Sequence, residues 1–182
     1  MSIFFLPLDI DVSALTFTQE SDSKKAGAWM EYWNASFISE DTVVKNGLDQ
    51  IIKQLPFVRI TRLFHKIQTT AVPSHLDVQP QMILEDGEMD HIKSLEPAGY
   101  RIVLKGQTDS LSVYNGENWI NTTLPSVPCC YLLNSTTAYH KLKEDLNRET
   151  IYIRGYLDSV KHQELINRSL IKFKDYAVYK HQ

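Results

Sequence analysis

The chain of 182 residues is 43% hydrophobic and 23% charged, a composition typical of one soluble globular domain with a sizeable core. Its net charge of −3 provides no general attraction to phosphate backbones or anionic lipids, so neither nucleic acid nor a membrane surface is expected as a partner. No apolar run approaches the ~20 residues of a membrane span.

The N-terminal part of the chain predicts an arm or strand followed by two helices. The segment MSIFFLPLDIDVSAL is apolar but lacks a basic leader, and it is typical of a first strand or a buried arm. Residues 24–37 are compatible with a helix that carries Trp29 and Trp33 on one side. Ser39 can cap a second helix, in which apolar residues recur at helical spacing until Pro56.

From residue 57 onward the pattern changes to short strands. The strand candidates are FVRITRLFHKI, YRIVLKG, SLSVY, ENWINTT, PCCYLLN, TTAYHKL and TIYIRGYL. Asn115-Gly116 predicts a type I′ hairpin between SLSVY and ENWINTT. The helix-like segment DSVKHQELINRSL follows the last strand. Short strands flanked by helices predict an antiparallel barrel or a double-sheet jelly roll that is braced on its outside.

Two cysteines, Cys129 and Cys130, are adjacent in the strand-like segment VPCCYLL. Neighbouring cysteines rarely bridge each other, and the chain has no CxxC spacing for a thiolate zinc site. We therefore expect a reducing, cytoplasmic location.

The segment TAVPSHLDVQP holds the pair His75-x-Asp77. Chance alone supplies roughly 0.4 such pairs in a chain of this composition, so the setting of the pair has to decide its meaning. In extended backbone, residues i and i+2 point the same way, and Pro73 and Pro80 keep this segment out of a helix. The pair can therefore present two ligands to one metal ion, unlike His162-x-Glu164, which lies in a helix-like stretch.

A third ligand must come from another segment, and His140 in the late strand TTAYHKL is the best candidate. His181 is terminal, His91 lies in an irregular segment, and His65 lies in mid-strand, where a core or surface role is open. A core or surface histidine is also the alternative for His140 itself. Two histidines and one carboxylate leave three facial positions open on an octahedral iron, which is what an Fe(II) oxygenase requires.

With these residues in place, residues 58–158 resemble the Fe(II)/2-oxoglutarate-dependent dioxygenases. The similarity is to the aspartyl/asparaginyl β-hydroxylase-like branch, which includes free proline hydroxylases. It depends on His75-x-Asp77, on Arg101 in the strand YRIVL, and on the run from Asn118-Trp119 through LLN to His140. The resemblance implies one mainly β domain over residues 1–182, with a double-stranded β-helix core (57–158), helical N-terminal support (1–56) and a C-terminal helix and tail outside it (159–182).

The resemblance also implies a site and a reaction. Fe(II) would be held by His75, Asp77 and His140, with 2-oxoglutarate as cosubstrate and O2 as oxidant. The product would be a hydroxylated amino acid, so the partner is a small-molecule or polypeptide substrate. No motif identifies that substrate or the oligomeric state.

The distal carboxylate of 2-oxoglutarate calls for a buried cation, and a guanidinium suits it best. Arg148, Thr150, Tyr152 and Arg154 share one face of the strand after His140, so either arginine could be the anchor, assisted by a hydroxyl. The branch usually places its arginine about ten residues after the distal histidine, where this chain has Thr150. A related group of these oxygenases uses a later spacing, so Arg154, fourteen residues after His140, is preferred. The alternative role, a surface salt bridge, suits Arg148 better than Arg154, because Arg148 adjoins the polar turn KEDLN.

Arg101 has two readings: contact with cosubstrate or substrate, or a position on the outer face of its strand. The segment between Asp77 and Arg101 is longer than in the branch, and such an insertion could form a lid. Two other function classes remain open. One is a non-oxidative, cupin-like isomerase or small-molecule-binding barrel without the arginine anchor, and the other is a partner-binding jelly roll without metal.

Overall fold

The computed structural model describes residues 2–15, 25–26, 45–68, 70–77, 99–144 and 148–181. The proposed cap Ser39 and almost all of the long insertion after Asp77 lie outside these residues. Within the helix predicted over residues 24–37, the described pair Lys25–Ala26 forms a strand, so the helix prediction is wrong at that pair. The pair is held by parallel pairing with a neighbouring strand.

The described residues form eleven strands and two α-helices. In chain order they are β1 Ile3–Pro7, β2 Lys25–Ala26, α1 Lys45–Ile52, β3 Phe57–Gln68, β4 Val72–His75, β5 Gly99–Lys105, β6 Leu111–Tyr114, β7 Trp119–Asn121, β8 Cys129–Leu133, β9 His140–Leu142, β10 Arg148–Leu157, α2 Ser159–Phe173 and β11 Val178–Tyr179. The expectation of a mainly β chain with a few helices is confirmed.

The strands make two sheets. The larger has the order β11-β1-β8-β5-β10-β3-β2 and the smaller has the order β4-β9-β6-β7. Apart from the short parallel pair β2·β3, the strand pairs are antiparallel. Between β3 and β10 the chain crosses repeatedly from one sheet to the other, and the hairpin β6–β7 stays in the smaller one.

The large sheet buries both of its faces. Ile102, Ile151 and Ile153 lie on the face that packs against apolar residues of α1 and α2. The opposite face carries Phe5, Val103 and Tyr131, which pack against side chains of the small sheet, Val113 and Leu142 among them. The core therefore has two layers, one under the helices and one between the sheets.

Three polar residues of β10 belong to the face between the sheets. Arg148, Thr150 and Tyr152 alternate with the isoleucines of the helix-covered face, and all three are buried. They share one face, as the sequence predicts. Arg148 does not take the surface position on which the salt-bridge alternative depends, because the residue is only 1% exposed.

The C-terminal helix begins after a capping residue, as predicted from DSVKHQELINRSL. The Asp158 side chain accepts hydrogen bonds from the backbone N–H groups of Val160 and Lys161, each at 3.0 Å. The second predicted helix is present as α1 in its described part. Neither described helix has the length and apolar character needed to span a bilayer.

The hairpin predicted at Asn115-Gly116 is present, but its loop is longer than a two-residue type I′ turn. Tyr114 pairs with Trp119, so four residues form the loop. The Asn115 side-chain oxygen accepts from the backbone N–H groups of Glu117 and Asn118 at 2.9 and 2.8 Å. Gly116 has a φ of +108°, a conformation that favours glycine. The asparagine side chain thus closes a wider turn than the dipeptide alone predicts.

Candidate metal centre

Strand pairing brings His75 and His140 together. The two residues are direct partners in the antiparallel pair β4·β9, where His75 ends one strand and His140 begins the other. Directly opposed residues project their side chains to the same face. The two imidazole ring centroids accordingly lie 4.3 Å apart.

Asp77 joins the two histidines from the segment just after β4. Its backbone N–H donates to the carbonyl oxygen of Ser135 at 2.8 Å, which ties this segment to the loop between β8 and β9. Asp77 Oδ1 lies 3.6 Å from His75 Nε2 and 3.7 Å from His140 Nε2. All three ligand atoms lie within 4.8 Å of one another, so the group could hold a single metal ion.

The hydrogen bonds of the two imidazoles prepare them as ligands. His75 Nδ1 lies 2.8 Å from the carbonyl oxygen of Pro73, and His140 Nδ1 lies 3.1 Å from that of Ala138. A carbonyl oxygen only accepts, so each Nδ1 carries the proton and donates it. Each Nε2 is left with its lone pair facing Asp77, which is the arrangement that fixes tautomer and orientation in metal-binding histidines.

The two histidines differ in burial and in protonation. Burial lowers the pKa of His140 to about 3, the charge of Arg101 acts in the same direction, and Asp77 opposes both. His140 is therefore neutral at neutral pH and able to coordinate. Burial disfavours the charged form of His75, but the Asp77 carboxylate and the Pro73 carbonyl favour that form and together raise the pKa of His75. The His75 side chain is 15% exposed, so solvent reaches the centre from this side.

The donor set fits a first-row divalent ion. Two imidazole nitrogens and one carboxylate oxygen suit iron, cobalt or zinc better than calcium or magnesium. Around such an ion, two ligand atoms at right angles to each other lie about 3.0 Å apart. Small rotations of the three side chains would bring their ligand atoms from the observed separations to this distance. Three protein ligands would leave three positions of an octahedral ion for other ligands.

A buried arginine holds the outer oxygen of the aspartate. Arg101 Nη2 donates to Asp77 Oδ2 at 2.8 Å, and the two side chains are 1% and 3% exposed. The guanidinium carbon lies 4.6 Å from the centroid of the Tyr152 ring. The sequence leaves open whether Arg101 faces the interior or the outer face of its strand. The side chain faces the interior, where it contacts a candidate metal ligand.

A second arginine lies further along the same inner face. Arg148 donates to the Thr150 hydroxyl at 3.1 Å and to the Tyr131 hydroxyl at 3.4 Å. An indentation too narrow to admit a water molecule adjoins Arg148 and Tyr131 and is also lined by Ser110 and Thr122. A buried cation with two hydroxyls beside it is an arrangement suited to an anion.

Tyr131 connects the two arginines, and the sequence did not single it out. It is the cross-strand partner of Arg101, which in turn is the partner of Tyr152, so these three side chains form a row across β8, β5 and β10. Burial raises the pKa of Tyr131, although Arg148 and Arg101 lower it. The apolar run in PCCYLLN indicates a buried strand, but the identity of its neighbours depends on the sheet order.

The structure thus brings together most of the residues that the sequence selects. His75, Asp77 and His140 form a group that could hold a metal ion, Arg101 contacts Asp77, and Arg148, Thr150 and Tyr152 are buried on one face of β10. Arg154 lies in β10 opposite Arg62, and its side chain is outside the described part of the chain.

Comparison with known proteins yields no match to this chain among protein-family models, curated proteins or solved structures. The interpretation of the centre therefore depends on its own geometry and chemistry.

Proposed function

We propose that the protein is an Fe(II)- and 2-oxoglutarate-dependent dioxygenase that hydroxylates an unactivated C–H bond of an amino acid, either free or within a polypeptide. The observation that carries the proposal is the convergence of His75, Asp77 and His140 between the two sheets. A set of two histidines and one carboxylate occupies one face of an octahedral ion. The three opposite positions can then take a bidentate 2-oxo acid and O2.

We infer that the two sheets are a double-stranded β-helix, and the strand order supports this. The pairs β3·β10, β4·β9, β5·β8 and β6·β7 are those of one long antiparallel hairpin in which early strands meet late ones. The further pairs β10·β5 and β9·β6 are those that arise when such a hairpin rolls up. Eight strands divided in this way between two sheets are typical of a jelly roll.

We propose Arg148 as the anchor for the distal carboxylate of 2-oxoglutarate. Its guanidinium is buried and lies beside the hydroxyls of Thr150 and Tyr131. A guanidinium in a place of low dielectric binds a carboxylate through two parallel hydrogen bonds, and the hydroxyls can add a third. Spacing alone favours Arg154, but burial and these hydroxyls make Arg148 the stronger candidate.

The row of Tyr131, Arg101 and Tyr152 lies between the metal-binding group and the head of Arg148. Tyr131 connects the two arginines, since it is the cross-strand partner of Arg101 and its hydroxyl accepts a hydrogen bond from Arg148. A cosubstrate with a chelating end at the metal and an anchored end at Arg148 would therefore run along this face. Its five-carbon chain would pass over aromatic rings that exclude water.

The bound Fe(II) would supply the activation of O2, and 2-oxoglutarate and the substrate C–H bond would each supply two of the four electrons that reduce it. The overall reaction converts 2-oxoglutarate, O2 and R–H into succinate, CO2 and R–OH, with one oxygen atom in the succinate and the other in the alcohol. The chain's own residues perform the positioning: His75, Asp77 and His140 hold the ion, and Arg148 orients the cosubstrate. The closely packed sheets limit the access of water to the reacting atoms.

Succinate formation tests the proposal. The iron-loaded protein is supplied with O2 and 2-oxoglutarate in the presence of pooled amino acids or peptides, and succinate is quantified. We expect production by the wild type and by the surface variant His181→Ala, and none by His75→Ala or Asp77→Ala. Iron-dependent succinate formation that persists in the Asp77→Ala protein would rule out this assignment of the centre.

A further inference from the structure

The two oxygens of Asp77 are committed to different partners. Oδ1 faces the Nε2 atoms of His75 and His140 at 3.6 and 3.7 Å, whereas Oδ2 accepts a hydrogen bond from Arg101 Nη2 at 2.8 Å. Carboxylate and guanidinium are both almost completely buried. Oδ2 is therefore held by a charged hydrogen bond on the side away from the two imidazoles.

We propose that Arg101 is a positioning residue that keeps Asp77 a one-oxygen ligand and thereby keeps a third coordination position open on the metal. A carboxylate can bind a metal ion through one oxygen or through both. Two oxygens from Asp77 and two histidine nitrogens would leave only two positions on a six-coordinate ion. This inference rests on the proposed function, because a chelating 2-oxo acid takes two positions and O2 needs a third.

The surroundings of Arg101 hold its guanidinium in place. Its plane lies over the Tyr152 ring at 4.6 Å, and Tyr131 lies on its other side along the row. A Cβ atom at Gly99 would stand 3.1 Å from Arg101 Nη1 and 3.4 Å from the carbonyl oxygen of Leu133. The glycine therefore leaves the room that the guanidinium needs to reach Asp77.

The arginine also compensates the charge of its carboxylate. Burial acts to lower the pKa of Arg101, but Tyr152 and Asp77 outweigh it, so the group remains a cation throughout the accessible pH range. The guanidinium lies 2.8 Å from Asp77 Oδ2 and offsets the charge of that carboxylate. A divalent ion there keeps its positive charge available for an anionic chelating ligand.

This role differs from that of an anchor for the cosubstrate. One terminal nitrogen of Arg101 donates to Asp77, and the other is buried near Gly99 with no hydrogen-bond partner among the described residues. Arg148, in contrast, donates to the hydroxyls of Thr150 and Tyr131. The two buried arginines should therefore give different results when each is removed.

Counting the water molecules on bound Mn(II) tests the proposal, because each open position carries one exchangeable water. The full-length protein is loaded with Mn(II), and the bound waters are counted from water-proton relaxation and from the broadening of the Mn(II) signal by ¹⁷O-water. We expect three waters for the wild type and two for Arg101→Gln, in which Asp77 is free to bind through both oxygens. Arg101→Lys should restore three, because the ammonium can donate to Oδ2. The matched control is Arg148→Gln, which loses an equally buried guanidinium and should retain three.

Three waters in a folded Arg101→Gln protein, or the complete loss of its Mn(II) binding, would overturn the proposal. If Arg101→Gln does not fold, Arg101→Met decides, because its apolar side chain occupies similar space but offers no donor to Asp77 Oδ2. Its mean water count should fall below three, and an unchanged count of three overturns the proposal.

The count uses no cosubstrate, so its outcome is separable from that of the proposed function. A wild type with three waters but no response to 2-oxoglutarate would remove the dioxygenase proposal and leave the role of Arg101 standing. A wild type with fewer than three waters would remove the role of Arg101 whatever the cosubstrate.

Discussion

His75 and His140 are direct cross-strand partners at the ends of β4 and β9, although a large part of the chain separates them in sequence. Their Nε2 atoms meet at one carboxylate oxygen of Asp77. The centre therefore exists only where β4 and β9 pair, so metal binding is coupled to the formation of the small sheet.

Metal binding should raise the thermal stability of the protein. An ion that binds only the folded chain stabilises it by about 2.7 kcal/mol at a concentration of 100 times Kd, which raises the Tm of a chain of this length by roughly 5 to 10 °C. Asp77→Ala should abolish this rise. The measurement is calorimetry with and without Co(II) or Mn(II), and His181→Ala serves as the control that keeps the rise. An equal rise in the Asp77→Ala protein would show that the ion binds elsewhere.

Each histidine should be required for metal affinity, with different effects on folding. Loss of one of three ligands should weaken Co(II) binding by at least about 100-fold in His75→Ala and His140→Ala, since removal of a group that only orients a ligand already costs about 10- to 100-fold. The partly exposed His75 should affect the free energy of unfolding less than the buried His140 does. Titrations of Co(II) absorbance and denaturant unfolding measure the two effects. Unchanged Co(II) affinity in either variant would exclude that histidine as a ligand.

Removal of Arg148 should act on the cosubstrate and spare the metal. Loss of a charged hydrogen bond costs about 1.5 to 3 kcal/mol, so Arg148→Gln should raise the KM for 2-oxoglutarate by roughly 10- to 100-fold, with a smaller effect on kcat. The exposed Arg168→Gln on α2 is the matched control, and Co(II) affinity should be unchanged in both. A KM for 2-oxoglutarate that does not move would exclude Arg148 as the anchor and return attention to Arg154.

The ion pair of Arg101 and Asp77 should be visible as coupling in a double-mutant cycle. Removing one member leaves a buried charge uncompensated, which costs about 3 to 5 kcal/mol of the free energy of unfolding. The double variant Arg101→Gln/Asp77→Ala should lose less than the sum of the single losses, with a coupling of about 0.5 to 3 kcal/mol. Urea unfolding of the four metal-free proteins gives the values. Strictly additive losses would mean that the contact at 2.8 Å does not contribute to stability.

Substitutions outside the centre should change stability without changing metal binding. Asp158→Ala removes the two capping hydrogen bonds at the start of α2 and should lower the free energy of unfolding by about 1 kcal/mol. Because α2 packs on the far face of the large sheet, the Co(II) affinity should stay the same. A parallel loss of affinity would indicate that the helix supports the centre directly.

The parts of the site that the sequence predicts are those that depend on local geometry. In extended backbone, alternation alone places His75 and Asp77 on one side, and the same rule groups Arg148, Thr150 and Tyr152. The third ligand, His140, could be selected because it lies in one of the last of the short strands that the sequence predicts. The general β architecture follows from the same alternation and from the turn residues between strands.

The parts that the sequence does not predict depend on pairing between distant strands. The contact between Arg101 and Asp77 exists because β5 lies next to β8, whose following loop binds the backbone of Asp77 through Ser135. The position of Tyr131 beside Arg101 depends on the same pairing of β5 with β8. The burial of Arg148 was missed because the polar turn before it indicates a surface, whereas the register of β10 turns its side chain inward.

The most direct test of the dioxygenase proposal is an anaerobic titration of the protein with Fe(II) and 2-oxoglutarate, followed by visible absorption. We expect the charge-transfer band of the iron–2-oxo-acid chelate in the wild type and in His181→Ala, and its absence in His75→Ala and Asp77→Ala. In Arg148→Gln the band should form only at higher 2-oxoglutarate concentration. A wild-type protein that binds Fe(II) but develops no band at saturating 2-oxoglutarate would contradict the proposal and favour a non-oxidative metal-binding barrel.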